Sequence, residues 1–458
     1  MLVRRLLFVV LVAAVLGTSL PMYTLPAAAA PAEQAAPQTP QPAARDYDHS
    51  VATAWFDLIL ELIRQTPGFS PPVASRALGY AGVVLYESVV PGIPGAASLV
   101  GQLNDLDSLP QVDPGAAYHW PSVANAALAA ISRRLFAGGG GAQRAAIDGL
   151  EINLRKRFAG QAPPDVIRRS IQHGRMMAAA IYAWSRTDGG HEGYMFNTAT
   201  DYVTPIGEGL WAPTAPGYSE PLQPYWGGNR PLLLDSGSEC APPPPPAYST
   251  DPSSPMYREA KEVYDTVRNL TPEQREIALF WSDDPNLTAT PPGHSIALAT
   301  QVLRDENASL ALAAETLARV GIAVSDAFIA CWNVKYEYNR IRPIDYIQKV
   351  IDPKWNNPAP TDPVITPPFP EYPSGHSTEI GAAAAVLTGL FGDNYLLIDR
   401  TQERLGFAPR VYPSFDAAAE EAAMSRLYGG IHFRSANEAG LAQGRCIGSK
   451  VLSLQMGH

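Results

Sequence analysis

Three short segments late in the chain carry side chains suited to holding a small anion and moving protons on it. The first is Lys335-Tyr336-Glu337-Tyr338-Asn339-Arg340-Ile341-Arg342-Pro343. Lys335 and Arg342 stand seven residues apart, two turns of a helix, so the spacing puts both cations on one face. The second is Tyr372-Pro373-Ser374-Gly375-His376-Ser377, immediately before an Ala-rich helical stretch. Its Pro and Gly fix a tight turn, and the helix start offers free backbone N–H groups to an anion. Gly375 allows close approach of its own N–H, Ser374 adds a hydroxyl donor, and His376 can trade protons near neutral pH. The third is Ser425-Arg426-Leu427-Tyr428-Gly429-Gly430-Ile431-His432, where a glycine pair lets the chain turn so that Arg426 and His432 converge.

Together these segments supply three cations, a hydroxyl, a nest of N–H groups and two imidazoles. That set fits a tetrahedral oxyanion such as phosphate or vanadate. Arginine offers planar paired donors and lysine a point charge. One imidazole can attack or ligate the central atom while the other exchanges a proton. Binding alone would not require both, which speaks against a non-catalytic oxyanion carrier. There is no carboxylate cluster suited to magnesium or calcium and no HExxH zinc motif.

The elements that must position these residues read as helices. Apolar periodicity predicts helices over 50–65, 71–90, 120–136, 141–158 and 163–186, then 256–269, 272–282, 295–305, 308–320 and 324–349, and finally 377–390, 416–428 and 433–447. Thr271-Pro272-Glu273-Gln274 has the form of a capped helix start. Strand-like alternation is scarce. Residues 189–254 are rich in Pro, Gly and Trp and read as a long structured loop region, separating an N-terminal helical part (46–188) from a C-terminal one (255–458) that carries the oxyanion residues. His294, after Pro291-Pro292-Gly293, reads as a cap or loop contact.

Composition narrows the class. The chain has 458 residues, with 46% apolar, 17% charged and a net charge of −10. The apolar fraction argues against disorder, and the acidic balance against a nucleic-acid partner. Residues 1–30 have a basic start, an apolar run and a small-residue end, the order of a signal peptide, followed by a flexible leader at 31–45. The expectation is therefore an exported protein, periplasmic or extracellular, with no stable membrane span. Export permits a disulfide among Cys240, Cys331 and Cys446; one bridge would leave one thiol over, and three buried thiols are the alternative. Low charge and Pro-rich loops would also suit a packed homodimer.

Lys335 with Arg342-Pro343, then Pro373-Ser374-Gly375-His376, then Ser425-Arg426 with His432 resembles the three-part signature of the vanadium-dependent haloperoxidase and type 2 phosphatidic acid phosphatase superfamily, most closely its secreted bacterial chloroperoxidase-like members. The pattern covers about 335–440. The resemblance implies an all-α fold of helical bundles with long Pro/Gly-rich loops, and vanadate as cofactor in a site that phosphate can also occupy. It implies that Lys335, Arg342 and Arg426 grip vanadate oxygens, that Ser374 and the Gly375 N–H complete the cradle, and that His432 is the axial metal ligand. His376 would be the acid–base and, with His432 and Lys335, catalytic. Hydrogen peroxide would oxidise a halide to hypohalous acid, with a small organic acceptor downstream. In the phosphatase branch His432 would attack phosphorus and His376 protonate the leaving oxygen. Trp332 and Phe369 are similar to the aromatic pair on the halide side of the family's chloroperoxidases. Asp283 or Asp284 is a candidate carboxylate partner for His376 or an arginine. The pattern often has an Asp four residues after the last His; here that position is Ala436, so a carboxylate steadying His432 is lost or comes from elsewhere.

Overall fold

The computed structural model describes residues 42–355 and 363–457. The expected signal peptide at 1–30 and most of the expected leader at 31–45 lie outside the described residues. Among those described, thirteen α-helices account for nearly all regular structure: α1 Ser50–Gln65, α2 Pro71–Val89, α3 Trp120–Leu135, α4 Gly141–Phe158, α5 Pro164–Ser185, α6 Pro255–Arg268, α7 Pro272–Phe280, α8 Thr290–Asp305, α9 Leu310–Tyr338, α10 Pro343–Val350, α11 Gly375–Phe391, α12 Phe415–Tyr428 and α13 Arg434–Leu452. The fold is all-α, as the periodicity predicts. The Thr271 hydroxyl caps α7 by accepting from the Gln274 N–H, and Gln274 returns the bond, the reciprocal pair that the sequence there announces.

Two expectations need correction. Residues 308–320 and 324–338 form one helix, α9, without a break. Gly321 is a crossing point and not a stop: a Cβ there would sit 2.8 Å from the Leu78 carbonyl oxygen of α2. The predicted helix over 324–349 is instead broken at 339–342. Asn339 is left-handed (φ 44°), and Arg342 becomes the N-cap of α10 in front of Pro343. Lys335 and Arg342 therefore do not share a helix face; the corner between α9 and α10 brings them together. A two-stranded antiparallel ladder, β1 Leu397–Asp399 with β2 Arg410–Tyr412, also has no signal in the alternation.

Helix α9 organises the packing. It is long and apolar enough to cross a membrane, but 94% of its apolar window is buried inside the protein. The loop region 189–254 is tied across it. The Asp326 carboxylate on α9 accepts the backbone N–H groups of Leu232, Leu233 and Leu234 at 2.6, 2.8 and 3.0 Å. Leu222 O takes the Trp332 indole N–H and the Tyr336 hydroxyl. A disulfide, Cys240–Cys446, joins this region to α13, while Cys331 is a buried free thiol on α9.

Helices α11 and α13 meet at backbone distance. Gly440, Gly444 and Gly448 recur every four residues along α13, and a Cβ at Gly444 would fall 2.1 Å from Thr378 O on α11. This crossing brings the turn at the start of α11 against the start of α13, so two of the three sequence segments adjoin. Gly444→Ala should destabilise the protein by about 1–3 kcal/mol through overpacking; urea unfolding would measure it, and an unchanged midpoint would contradict the close crossing.

Candidate active site

Each segment ends its helix where its functional side chain is needed. Lys335 lies in the last turn of α9, Arg342 caps α10, and Ser374 caps α11, its hydroxyl oxygen accepting from the Ser377 hydroxyl at 2.9 Å. Arg426 lies in the last turn of α12. Gly430 (φ 73°) then takes the left-handed conformation that a side chain disfavours, and His432 follows at the reversal.

The three cations are buried, and main-chain oxygens hold all of them. The Lys335 ammonium donates to Pro370 O at 2.9 Å, Glu371 O at 3.1 Å and Pro373 O. Arg342 donates through Nε to Phe369 O (2.9 Å) and through Nη1 to Ile431 O (2.8 Å). Arg426 donates through Nη1 to Trp281 O (2.6 Å). Burial lowers Lys335 to about 7 and both arginines to about 10. Three buried nitrogens at this site lack a protein partner: Arg342 Nη2, Arg426 Nε and His376 Nε2. Such atoms are costly to bury unless a ligand meets them. This donor set fits a tetrahedral oxyanion.

Both imidazoles are kept neutral. Burial, reinforced by the arginines and Lys335, holds His376 and His432 well below the ordinary histidine range. His432 Nδ1 lies 2.9 Å from Glu371 Oε1, so the proton sits on Nδ1 and the Nε2 lone pair accepts from Arg342 Nη1 at 3.1 Å. Glu371 also accepts from the Phe433 N–H (2.9 Å) and from Arg340 (3.3 Å), and Arg340 is shared with Glu259. Glu371 is the carboxylate that Ala436 does not provide. Sequence reasoning missed it because it lies two residues before Pro373, on the opposite side of the motif from the expected position. Ala436 keeps a main-chain role, its oxygen accepting the Ser374 N–H at 3.0 Å.

The cavity above these groups holds about 660 Å³ and is lined at its floor by Gly375, His376, Arg426 and His432. Its walls are mostly apolar and include Phe328, Trp332, Phe369, Leu222 and Ile431. Trp332 and Phe369 sit together, centroids 4.9 Å apart, and the Phe369 ring faces Lys335 at 5.2 Å and Arg342 at 5.0 Å. A Cβ on Gly375 would lie 3.5 Å from the Trp332 ring, so a side chain there would fill the cradle. Asp283 and Asp284 line the same cavity, but the Asp283 carboxylate bonds His294 (3.0 Å) and Gln402 (2.9 Å), not His376. Asp284 is exposed. His376 instead lies beside the Ser282 backbone, which favours its protonated ring against the effect of burial.

An almost wholly helical scaffold thus brings three buried cations and two neutral imidazoles together around one cavity. Residues 315–458 match the family model described as the second helical-bundle domain of vanadium chloroperoxidase. A 132-residue stretch is 31% identical to the vanadium chloroperoxidase of Curvularia inaequalis, the match spanning 24% of this chain and 22% of that protein's length. The structure superposes on a bacterial vanadium-dependent iodoperoxidase with TM-score 0.80 and 35% identity, covering 90% of this chain and 98% of the other. A holo-type bacterial vanadium-dependent chloroperoxidase shares the fold at TM-score 0.62 and 16% identity, over 84% of this chain and 92% of that one. The chain belongs to the vanadium-dependent haloperoxidase family.

Glu371→Gln should weaken vanadate binding by about 10–100-fold by removing the charge that orients His432. Equilibrium titration with vanadate would test this, and unchanged affinity would reject the positioning role.

Proposed function

We propose that the protein is a vanadate-dependent peroxidase that uses hydrogen peroxide to oxidise a halide to hypohalous acid. One observation carries the reading: the unpartnered nitrogens of Arg342, Arg426 and His376 occur at the same site as a carboxylate-backed imidazole, His432. Arg342 and Arg426 would hold vanadate oxygens through these free donors, and the Gly375 N–H and Ser374 would close the cradle. Lys335 would contribute mainly charge, since its three protons already meet carbonyls. His432 Nε2 would be the metal ligand, with its proton kept on Nδ1 by Glu371. When bound, vanadate supplies a Lewis acid that makes peroxide oxygen electrophilic toward halide. His376, neutral and with Nε2 free, would take and return the proton that peroxide binding releases. Trp332 and Phe369 would keep water off the cations, which strengthens their field. The cavity is also large enough for a small organic acceptor beside the halide. The Cys240–Cys446 bridge fits an exported protein.

The same His432–Glu371 pair would suit a phosphatase nucleophile, so the two activities are tested side by side. Halogenation of a phenolic dye with peroxide and halide should require added vanadate and be inhibited by phosphate. Ester hydrolysis that vanadate merely inhibits would favour the phosphatase. His432→Ala should abolish stable vanadate binding. His376→Ala should keep affinity but lower turnover by about 10²–10⁴-fold; unchanged affinity in His432→Ala would reject its role as ligand.

Lys335, held at about 7 by burial, gives a pH prediction. An anion favours the ammonium, so affinity is greatest below that value and falls as pH rises through it, by at most about tenfold per unit. Calorimetry with sulfate, whose charge is constant over this range, should show the decline, and Lys335→Met should flatten it. A flat wild-type profile would contradict the assignment.

A further inference from the structure

Three consecutive residues lead from the oxyanion site to a buried ionic cluster that the proposed chemistry does not use. Trp281 O accepts from Arg426 at 2.6 Å. The Ser282 backbone lies beside His376, where it favours the protonated ring. Asp283, left-handed at φ 51° and only 2% exposed, acts on Arg426 through its charge alone and hydrogen-bonds His294 Nδ1, at 3.1 and 3.0 Å. The other face of His294 is bonded as well: Nε2 lies 3.0 Å from Asp399 Oδ2 and 2.8 Å from the Thr401 hydroxyl. Asp399 belongs to β1 and also accepts the Thr401 N–H, so this end of the cluster is built into the small ladder and its turn. The imidazole stacks on the Trp281 indole, centroids 4.4 Å apart at 17°. Trp281 is pinned to α12 at a second point, its Nε1 donating to Glu421 at 3.0 Å.

We infer that His294 is a positioning residue for the oxyanion site: by binding Asp283 and stacking on Trp281 it fixes the segment 281–283, which in turn holds Arg426 and His376. The inference rests on the proposed roles of those two residues. The physical reason is local. A non-glycine residue at positive φ is strained and needs outside contacts to stay there. Asp283 has them in His294 and Gln402. Release of that tether lets residue 283 relax, and the carbonyl of Trp281 and the backbone of Ser282 rotate with it. Arg426 then loses the Trp281 carbonyl that sets its direction, and the Ser282 backbone shifts against His376, although neither side chain touches His294 in a hydrogen bond. The cluster has two carboxylates about one imidazole, which makes a control available. Asp399 lies on the side of His294 away from the 281–283 segment, so its loss damages the cluster but spares the tether.

The test compares wild type, His294→Ala, His294→Asn and Asp399→Asn in the full-length protein. Readouts are urea stability, phosphate affinity by calorimetry, and the His376 imidazole signals in ¹⁵N-histidine-labelled protein. His294→Ala should weaken phosphate binding about tenfold or more and move the His376 resonances. His294→Asn, whose amide nitrogen stands where Nδ1 does and can still donate to Asp283, should restore most of the affinity. Asp399→Asn should lose stability yet keep phosphate affinity within about twofold. Should His294→Ala fail to fold, His294→Leu keeps the volume and serves the same comparison. Equal affinity losses in the His294 and Asp399 variants, or unchanged affinity and resonances in His294→Ala, would overturn the inference. Wild type that binds phosphate but oxidises no halide would sink the peroxidase reading alone. Wild type that binds no oxyanion would sink that reading too, and the His376 resonances would still decide the tether.

Discussion

Three cationic side chains lie buried around one cavity, and main-chain carbonyl oxygens, not carboxylates, receive them. Lys335 is held by the oxygens of Pro370, Glu371 and Pro373, Arg342 by those of Phe369 and Ile431, and Arg426 by that of Trp281. Dipoles solvate a buried cation without cancelling its charge. A carboxylate in the same place would satisfy the hydrogen bonds and also neutralise the field an anion needs. The acids stand one step back. Glu371 bonds His432 and Arg340, and Asp283 bonds His294. The site therefore keeps a net positive interior inside an acidic chain.

That arrangement dictates the architecture. Carbonyls can aim at a guanidinium only where the chain has left regular structure, because helical carbonyls are already bonded. Residues 281–283, 367–373 and 429–433 are such stretches, each attached directly to a helix end. The helices set distances between the segments, and the segments present their backbones inward. The loop region 189–254, anchored by Asp326 and by Leu222 O, supplies part of the cavity wall, beside Phe328, Trp332 and Phe369.

How much of this was readable in the residues follows from range. Helix positions are encoded locally, by apolar period and by caps such as Thr271, so most helices fall where the periodicity puts them. The failures have tertiary causes. The periodicity leaves a gap at 321–323, but α9 runs through it, with Gly321 packed closely on α2. The run through Asn339 and Arg342 keeps an apolar rhythm that the αL residue and Pro343 overrule. The short motifs contain the cations and imidazoles in order, since their turn chemistry is local. Their holders were not legible: a backbone carbonyl has no letter of its own. Glu371 lay in plain view beside Tyr372, yet nothing in its neighbourhood assigns it to a histidine sixty-one residues on. His294 looked like a cap because its two carboxylate partners come from distant stretches.

The crossing of α11 and α13 has a mechanical consequence. With glycine at Gly440, Gly444 and Gly448 there is no cushion of side chains between the two backbones. The turn bearing Ser374 and His376 and the turn bearing His432 are thus mounted on what behaves as a single rigid beam. Such a mount has no slack for opening and closing around a guest. Any adjustment around a guest then falls to the walls and to Arg426 on α12, not to the spacing between His376 and His432.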